Sequence, residues 1–190
     1  VGPDDPIFEA WRQGLRELGY VEGRNIKLEF RTAQGHPDRL PGLAEELVQL
    51  KAEVIFVASG VAAQALQHAT ATIPIVFALG DPVASGLVTS LAHPGGNITG
   101  LSSMSSELSA KRLQLLKETI PRLKQVAVLW NPAALPKLFE TKVVEELKAA
   151  ARSLSIELKF VVAEQPDEFD AAFSAIRRAR VQAIYLQDSA

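Results

Sequence analysis

The feature that most limits what this chain can become is the regular exchange of two periodicities along it. Short apolar runs are separated by stretches in which apolar residues recur every three or four positions, and the two patterns demand strands and helices in turn. Phe8, Trp11, Leu15 and Leu18 mark one face of a first helix, with Gly19 as its C-terminal stop. Ile26 to Phe30 then alternates apolar and charged residues after the turn Glu22-Gly23-Arg24-Asn25, which predicts a half-exposed edge strand. Pro37 suits the first position of a second helix carrying Leu40, Leu43, Leu47 and Leu50 on one face. The continuous run Val54 to Val57 predicts a strand buried on both faces.

The exchange continues to the end of the chain. A small-residue helix is expected from about Val61 to Thr70, a buried strand at Ile75 to Ala78, a helix near Pro82 to Leu91 and a strand at Ile98 to Leu101. Ser105 or Ser106 is then expected to cap a helix through Leu113, Leu116 and Ile120. Strand Val126 to Trp130, a long helix with Phe139, Val143, Leu147, Ala150 and Leu154, and strand Glu157 to Val162 follow. A helix with Phe169, Phe173 and Ile176 and strand Ala183 to Leu186 close the series. Such alternation places the chain in the α/β class, with parallel sheets covered by helices on both faces.

Composition narrows the functions available. With 190 residues, 47% of them apolar, and no apolar run near the roughly 18 residues a spanning helix needs, disorder and membrane insertion are set aside. The absence of cysteine excludes disulfides, thiolate metal sites and a cysteine nucleophile. A balance of 20 basic against 22 acidic residues leaves no electrostatic footprint for nucleic acid, so a small molecule or another protein is the expected partner. Val1 to Pro6 has neither a basic start nor an apolar stretch, and any export signal is expected to be removed before this sequence begins. The first helix has no strand ahead of it and the last strand no covering helix, so a chain truncated at both ends is expected. A domain break is expected in Ser102-Ser103-Met104-Ser105-Ser106, with four strands before it and three after, dividing the chain into 1–102 and 103–190.

In open parallel sheets ligands collect where strands end and helices begin. After the run Val54 to Val57 comes Ala58-Ser59-Gly60-Val61, where a hydroxyl and a close backbone approach beside a positive helix end suit a carboxylate; an N-cap serine with a turn glycine explains the same residues. Asp81, ahead of Pro82, reads first as a helix N-cap and second as an acceptor for a ligand ammonium. Ser102, Ser103 and Asn131 are small polar groups at strand ends, accounted for equally by turns. Trp130 reads as core before it reads as a stacking platform.

Catalytic templates fail in turn. Val57-Ala58-Ser59-Gly60-Val61 lacks the glycines of a nucleophile elbow. Gly95-Gly96-Asn97-Ile98-Thr99-Gly100 precedes a strand and reads as a turn, and there is no phosphate loop. His36, His68 and His93 fit no metal spacing, and His36 and His93 sit beside prolines in expected turns. Asp4-Asp5 and Glu45-Glu46 read as solvated surface. No cofactor is implied.

Several segments nevertheless carry a resemblance. Trp11 to Ile26, with Gly19-Tyr20-Val21-Glu22-Gly23-Arg24-Asn25-Ile26, then Ile73-Pro74-Ile75-Val76-Phe77, Gly80-Asp81-Pro82-Val83, Pro94 to Ser102 and Val128-Leu129-Trp130-Asn131-Pro132 together resemble the ABC-transporter substrate-binding family that includes tryptophan- and tyrosine-uptake proteins. The resemblance implies a type I periplasmic-binding fold, two doubly wound lobes joined by crossovers and closing on a ligand between them, here incomplete. It implies a periplasmic or extracytoplasmic protein, made with a signal peptide and membrane-associated where lipidated, that delivers an amino acid or similar solute to an ABC permease without chemistry of its own. Carried over by position, the backbone of Ser59, Gly60, Val61 and Ala62 would hold the ligand carboxylate, although family members often have threonine and proline near Ser59 and Gly60. Asp81 and Ser102 would line the first lobe, with Asn131 and Asp188 across the cleft. The same fold also serves as the effector-sensing domain of transcription regulators, which is the second reading; an α/β enzyme, the third, is disfavoured by the failed templates.

Overall fold

The computed structural model describes residues 6–78, 80–103 and 105–187, and the side chains of these apart from residues 7, 105–107 and 134. Its elements are α1 (Pro6–Glu17), α2 (Leu40–Gln49), β1 (Ile55–Val57), α3 (Gly60–Ala69), β2 (Ile75–Ala78), β3 (Ile98–Leu101), α4 (Ser105–Thr119), β4 (Gln125–Trp130), α5 (Lys137–Ser153), β5 (Glu157–Val162), α6 (Phe169–Arg178) and β6 (Ala183–Leu186). The strands form two parallel three-stranded sheets, in the orders β1-β2-β3 and β5-β4-β6.

Each sheet has its own core. In the first, Ile55, Val57, Ile75, Phe77 and Ile98 lie against α2 and α3 through Ala44, Ala63 and Leu66. The opposite face is thinner. Trp11 stacks on Phe56 at 5.0 Å, and Phe8 meets Phe30 edge-on at 4.7 Å, while Val76 and Leu101 stay exposed. The expectation of strands buried on both faces therefore fails here: among the described residues α1 covers only the β1 edge. The second sheet is covered on both sides, by α4 and α5 over Val126 and Val128 and by α6 over Ala127 and Leu129.

Four further expectations are corrected. Residues 26–30 form no strand; Ile26 makes only an isolated bridge to Glu22, because a strand exists through its neighbour and none of the described strands lies beside it. Among the described residues three strands, not four, thus precede the serine-rich segment. The expected helix from Pro82 to Leu91 is a turn that stops at Gly86, whose φ of 74° takes the backbone out of the helical region. In α6 the buried face is Ala172 and Ile176, and Phe169 and Phe173 are exposed; Leu18, assigned to the buried face of α1, is 76% exposed beyond its last turn. α4 begins at Ser105, but the side chain that caps it lies among the undescribed ones.

Polar side chains tie the loops. Asn25 accepts from the Val21 amide at 2.7 Å and donates to the Gly19 carbonyl at 2.9 Å, closing the turn after α1. Asn97 donates to the carbonyls of Thr70 and Ile73, which pins the α3–β2 connection to the bent segment that leads into β3.

Candidate functional site

The site is built by the loops that leave the carboxyl ends of the strands. On the first sheet, β1 runs into Ser59, the N-cap of α3, with extended backbone angles (φ −141°, ψ 130°). The first intrahelical bond is from the Ala63 amide to the Ser59 carbonyl, so helix geometry leaves the amides of Gly60, Val61 and Ala62 without an intrahelical acceptor. The Ser59 side chain does not cap them, and no acidic residue occupies the first turn. The capping explanation of Ser59 holds for its position and fails for its hydroxyl. What remains is an uncompensated positive helix end, the environment a carboxylate seeks.

Beside it, β2 leads to Asp81, which is buried at 8% exposure. Its Oδ1 accepts from the Ala84 amide at 2.9 Å, and its carbonyl accepts from the amide and hydroxyl of Ser85. Asp81 is thus a cap, as expected, but of the turn that ends at Gly86 and not of a helix. At the end of β3, Ser103 donates from both its amide (2.8 Å) and its hydroxyl (2.9 Å) to the Gly80 carbonyl, and the Ser102 hydroxyl reaches the same oxygen at 3.4 Å. The serine pair holds the β2 and β3 loops together.

On the second sheet Asn131 follows β4 and donates to the Glu164 carbonyl beyond β5 at 3.2 Å. Trp130 sits half-buried against Phe160, edge-on at 5.6 Å, with its indole nitrogen buried and without a hydrogen-bond partner. It is core, as expected, and carries a polar atom the core does not use. Asp188 lies outside the described residues.

The two sets of loops face each other. A methyl placed on Gly60 would stand 2.8 Å from Cγ and 3.1 Å from Cδ of Pro136, the N-cap of α5. One placed on Gly86 would stand 3.1 Å from Cδ2 of Leu138, and one on Gly35 4.0 Å from Oε1 of Gln165. Ala84, in the turn capped by Asp81, is part of the second sheet's core with Leu135 and Phe139. The arrangement brings Ser59, Gly60 and Asp81 to the same seam as the start of α5. Pro136, Leu138 and Leu135 were missed from the sequence; the one available signal was the pair Pro132 and Pro136 just after a strand, which marks a rigid loop where ligands gather.

Chemically, this seam offers backbone donors, a carboxylate and hydroxyls. No group of three or more His, Asp or Glu able to hold a metal occurs among the described residues, and no described helix is long and apolar enough to cross a membrane.

The description "ABC transporter substrate binding protein" belongs to the family model that matches residues 5–189. A tyrosine-binding protein of Clostridioides difficile is 39% identical over 128 residues, covering 67% of this chain and 36% of that protein. A conserved domain protein of Vibrio cholerae superposes with a TM-score of 0.81 at 35% identity, over 96% of this chain and 61% of its own. A Streptococcus pneumonia ABC domain in complex with L-Trp gives 0.77 at 26% identity, over 95% and 59%. The chain therefore spans less than two thirds of each of these relatives, and its fold is that of the type I periplasmic-binding proteins, incomplete.

Proposed function

Since the chain belongs to the ABC transporter substrate-binding protein family, whose members bind solutes and do not convert them, we propose that it forms most of an interlobe binding site for an amino acid. The carrying observation is the seam itself: the N-terminus of α3, which no side chain caps, comes up at Gly60 against Pro136 at the start of α5. In this reading the amides of Gly60, Val61 and Ala62 receive the ligand carboxylate, with the Ser59 hydroxyl beside them. Asp81 supplies the negative charge for the ammonium, and Ser102, Asn131 and Asp188 complete the wall. The relatives that bind tyrosine and L-Trp support an aromatic side chain. Two or three charge-assisted hydrogen bonds plus burial of such a side chain reach about 8 kcal/mol, the micromolar range.

Function follows from closure. A ligand that touches both lobes has contacts in the closed state that the open state lacks, and it shifts the population by that difference. The lobes divide at 1–102 and 103–190, a break supported by the separation of the two sheets between Leu101 and Gln125. The closed form is what an extracytoplasmic binding protein presents to its membrane permease. The family match favours this reading over a regulator's sensing domain. Calorimetric titration of the mature protein against amino acids tests it: micromolar binding of an aromatic amino acid is expected, and no heat or melting shift from any of them removes the assignment.

A further inference from the structure

We propose that Tyr185 and Trp130 form a polar subsite at the second lobe's side of the seam, which takes an oxygen atom at the distal end of the ligand and thereby sets which solute is chosen. The proposal rests on the interlobe reading above and deepens it.

Two buried atoms carry it. The Tyr185 hydroxyl and the Trp130 indole nitrogen are both shut away from solvent, and neither has a hydrogen-bond partner. Tyr185 is only 5% exposed. Buried hydroxyls and indole nitrogens normally find a partner, and one such group without a partner asks for an explanation; here there are two, and they are neighbours. The β4–β6 register sets Val128 opposite Tyr185 and Leu129 opposite Leu186. Trp130, two residues beyond Val128 on the same face, is therefore the diagonal neighbour of Tyr185, within reach for aromatic side chains.

Their place in the fold connects them to the cleft. Trp130 is the last residue of β4, where the ligand-side loop begins with Asn131. Tyr185 belongs to the cluster that contains Leu135 and Phe139 at the start of α5 and Ala84 from the first lobe's turn. Gly60, at the first position of α3, approaches Pro136, which lies between Leu135 and Phe139 in sequence. A ligand whose carboxylate sits on those amides directs its far end along the start of α5, toward the two unpartnered atoms.

Their chemistry names the complement. An indole nitrogen only donates, and a phenol donates or accepts. A single oxygen acceptor on the ligand, a hydroxyl or a carboxyl oxygen, satisfies both. A ligand ending in bare hydrocarbon leaves both groups unsatisfied, and sites built to bond an oxygen reject analogues that lack it.

The test uses L-tyrosine and L-phenylalanine, which differ by one such oxygen, titrated into the mature protein and its Tyr185→Phe and Trp130→Phe variants. The wild-type protein is expected to prefer tyrosine by about tenfold or more. Each variant is expected to lose about fivefold or more of its tyrosine affinity while phenylalanine affinity stays level or rises, so the preference narrows. Removing an unsatisfied hydroxyl leaves the melting temperature of Tyr185→Phe unchanged or higher, which separates this effect from misfolding. Equal binding of the two amino acids by the wild type, or a preference that survives both substitutions, overturns the subsite while leaving the interlobe reading intact. Binding of neither amino acid overturns the aromatic reading, and this proposal with it. A crystal structure of the liganded protein in which an enclosed water bridges the two groups, apart from the ligand, also overturns it.

Discussion

Replacing Gly60 by alanine tests the seam with a single methyl group. The added carbon would lie 2.8 Å from Cγ of Pro136, whereas ordinary contact begins at 3.4 Å, so the two must separate by about 0.6 Å. Pro136 has little room to yield: it is buried, its ring is rigid, and its φ of −56° is already that of proline. The strain therefore acts on the approach of the lobes. Overpacking of this kind costs about 1–3 kcal/mol, and on the proposed reading, in which this contact forms only when the lobes close, the penalty falls on the closed, liganded state. Ligand affinity should drop about 5- to 150-fold, since each 1.4 kcal/mol is a factor of ten. The unliganded protein should not suffer. Gly60 lies at the first position of α3 without a positive φ, where alanine is the better helix former by up to about 1 kcal/mol. Calorimetry and thermal melting on the same preparation measure both sides. Affinity within twofold of wild type, or a melting temperature lowered by several degrees without ligand, would refute the reasoning, the second because the contact would then be permanent packing.

Other expectations concern the first lobe. Asp81→Asn keeps an oxygen to accept from the Ala84 amide but removes the charge; the melting temperature should stay within a few degrees while amino-acid affinity falls about tenfold, and unchanged affinity would remove Asp81 from the site. Gly100→Ala should abolish the first sheet, because at φ 156° its Cβ would stand 1.7 Å from the Phe77 carbonyl oxygen, its partner in the β2–β3 register; circular dichroism of a normally folded variant would contradict that packing.

What the sequence disclosed depended on whether the determinant was local. β2, β3, β5 and β6 were read with the limits the structure gives, because short runs such as Ile75 to Ala78 are bounded by turn-forming residues such as Pro74 and Gly80. Residues 26–30 have the right alternation but no described neighbour, and pairing is not written in a single segment. The run after Pro82 has helical spacing that Gly86 interrupts with a positive φ, and Phe169 and Phe173 have helical spacing without facing the core. The loop logic led to Ser59, Gly60 and Asp81 from chain order alone, and the structure brings these strand-end loops to one seam with the start of α5. The closeness of Pro136 and Leu138 to Gly60 and Gly86 escaped it because it depends on which loops of one sheet face those of the other, a property of the assembled chain.

The central claim is that solute binding joins the two lobes, and the absence of cysteine permits a direct measurement. With Gln49→Cys on α2 and Ala149→Cys on α5, both at exposed helix positions, spin labels report the distance between the lobes. On adding a saturating aromatic amino acid to the mature protein, the distribution should collapse to the narrow one of the arrangement in which Gly60 meets Pro136, and in Gly60→Ala it should stop short of it. A ligand that binds by calorimetry yet leaves the distribution unchanged would contradict the account.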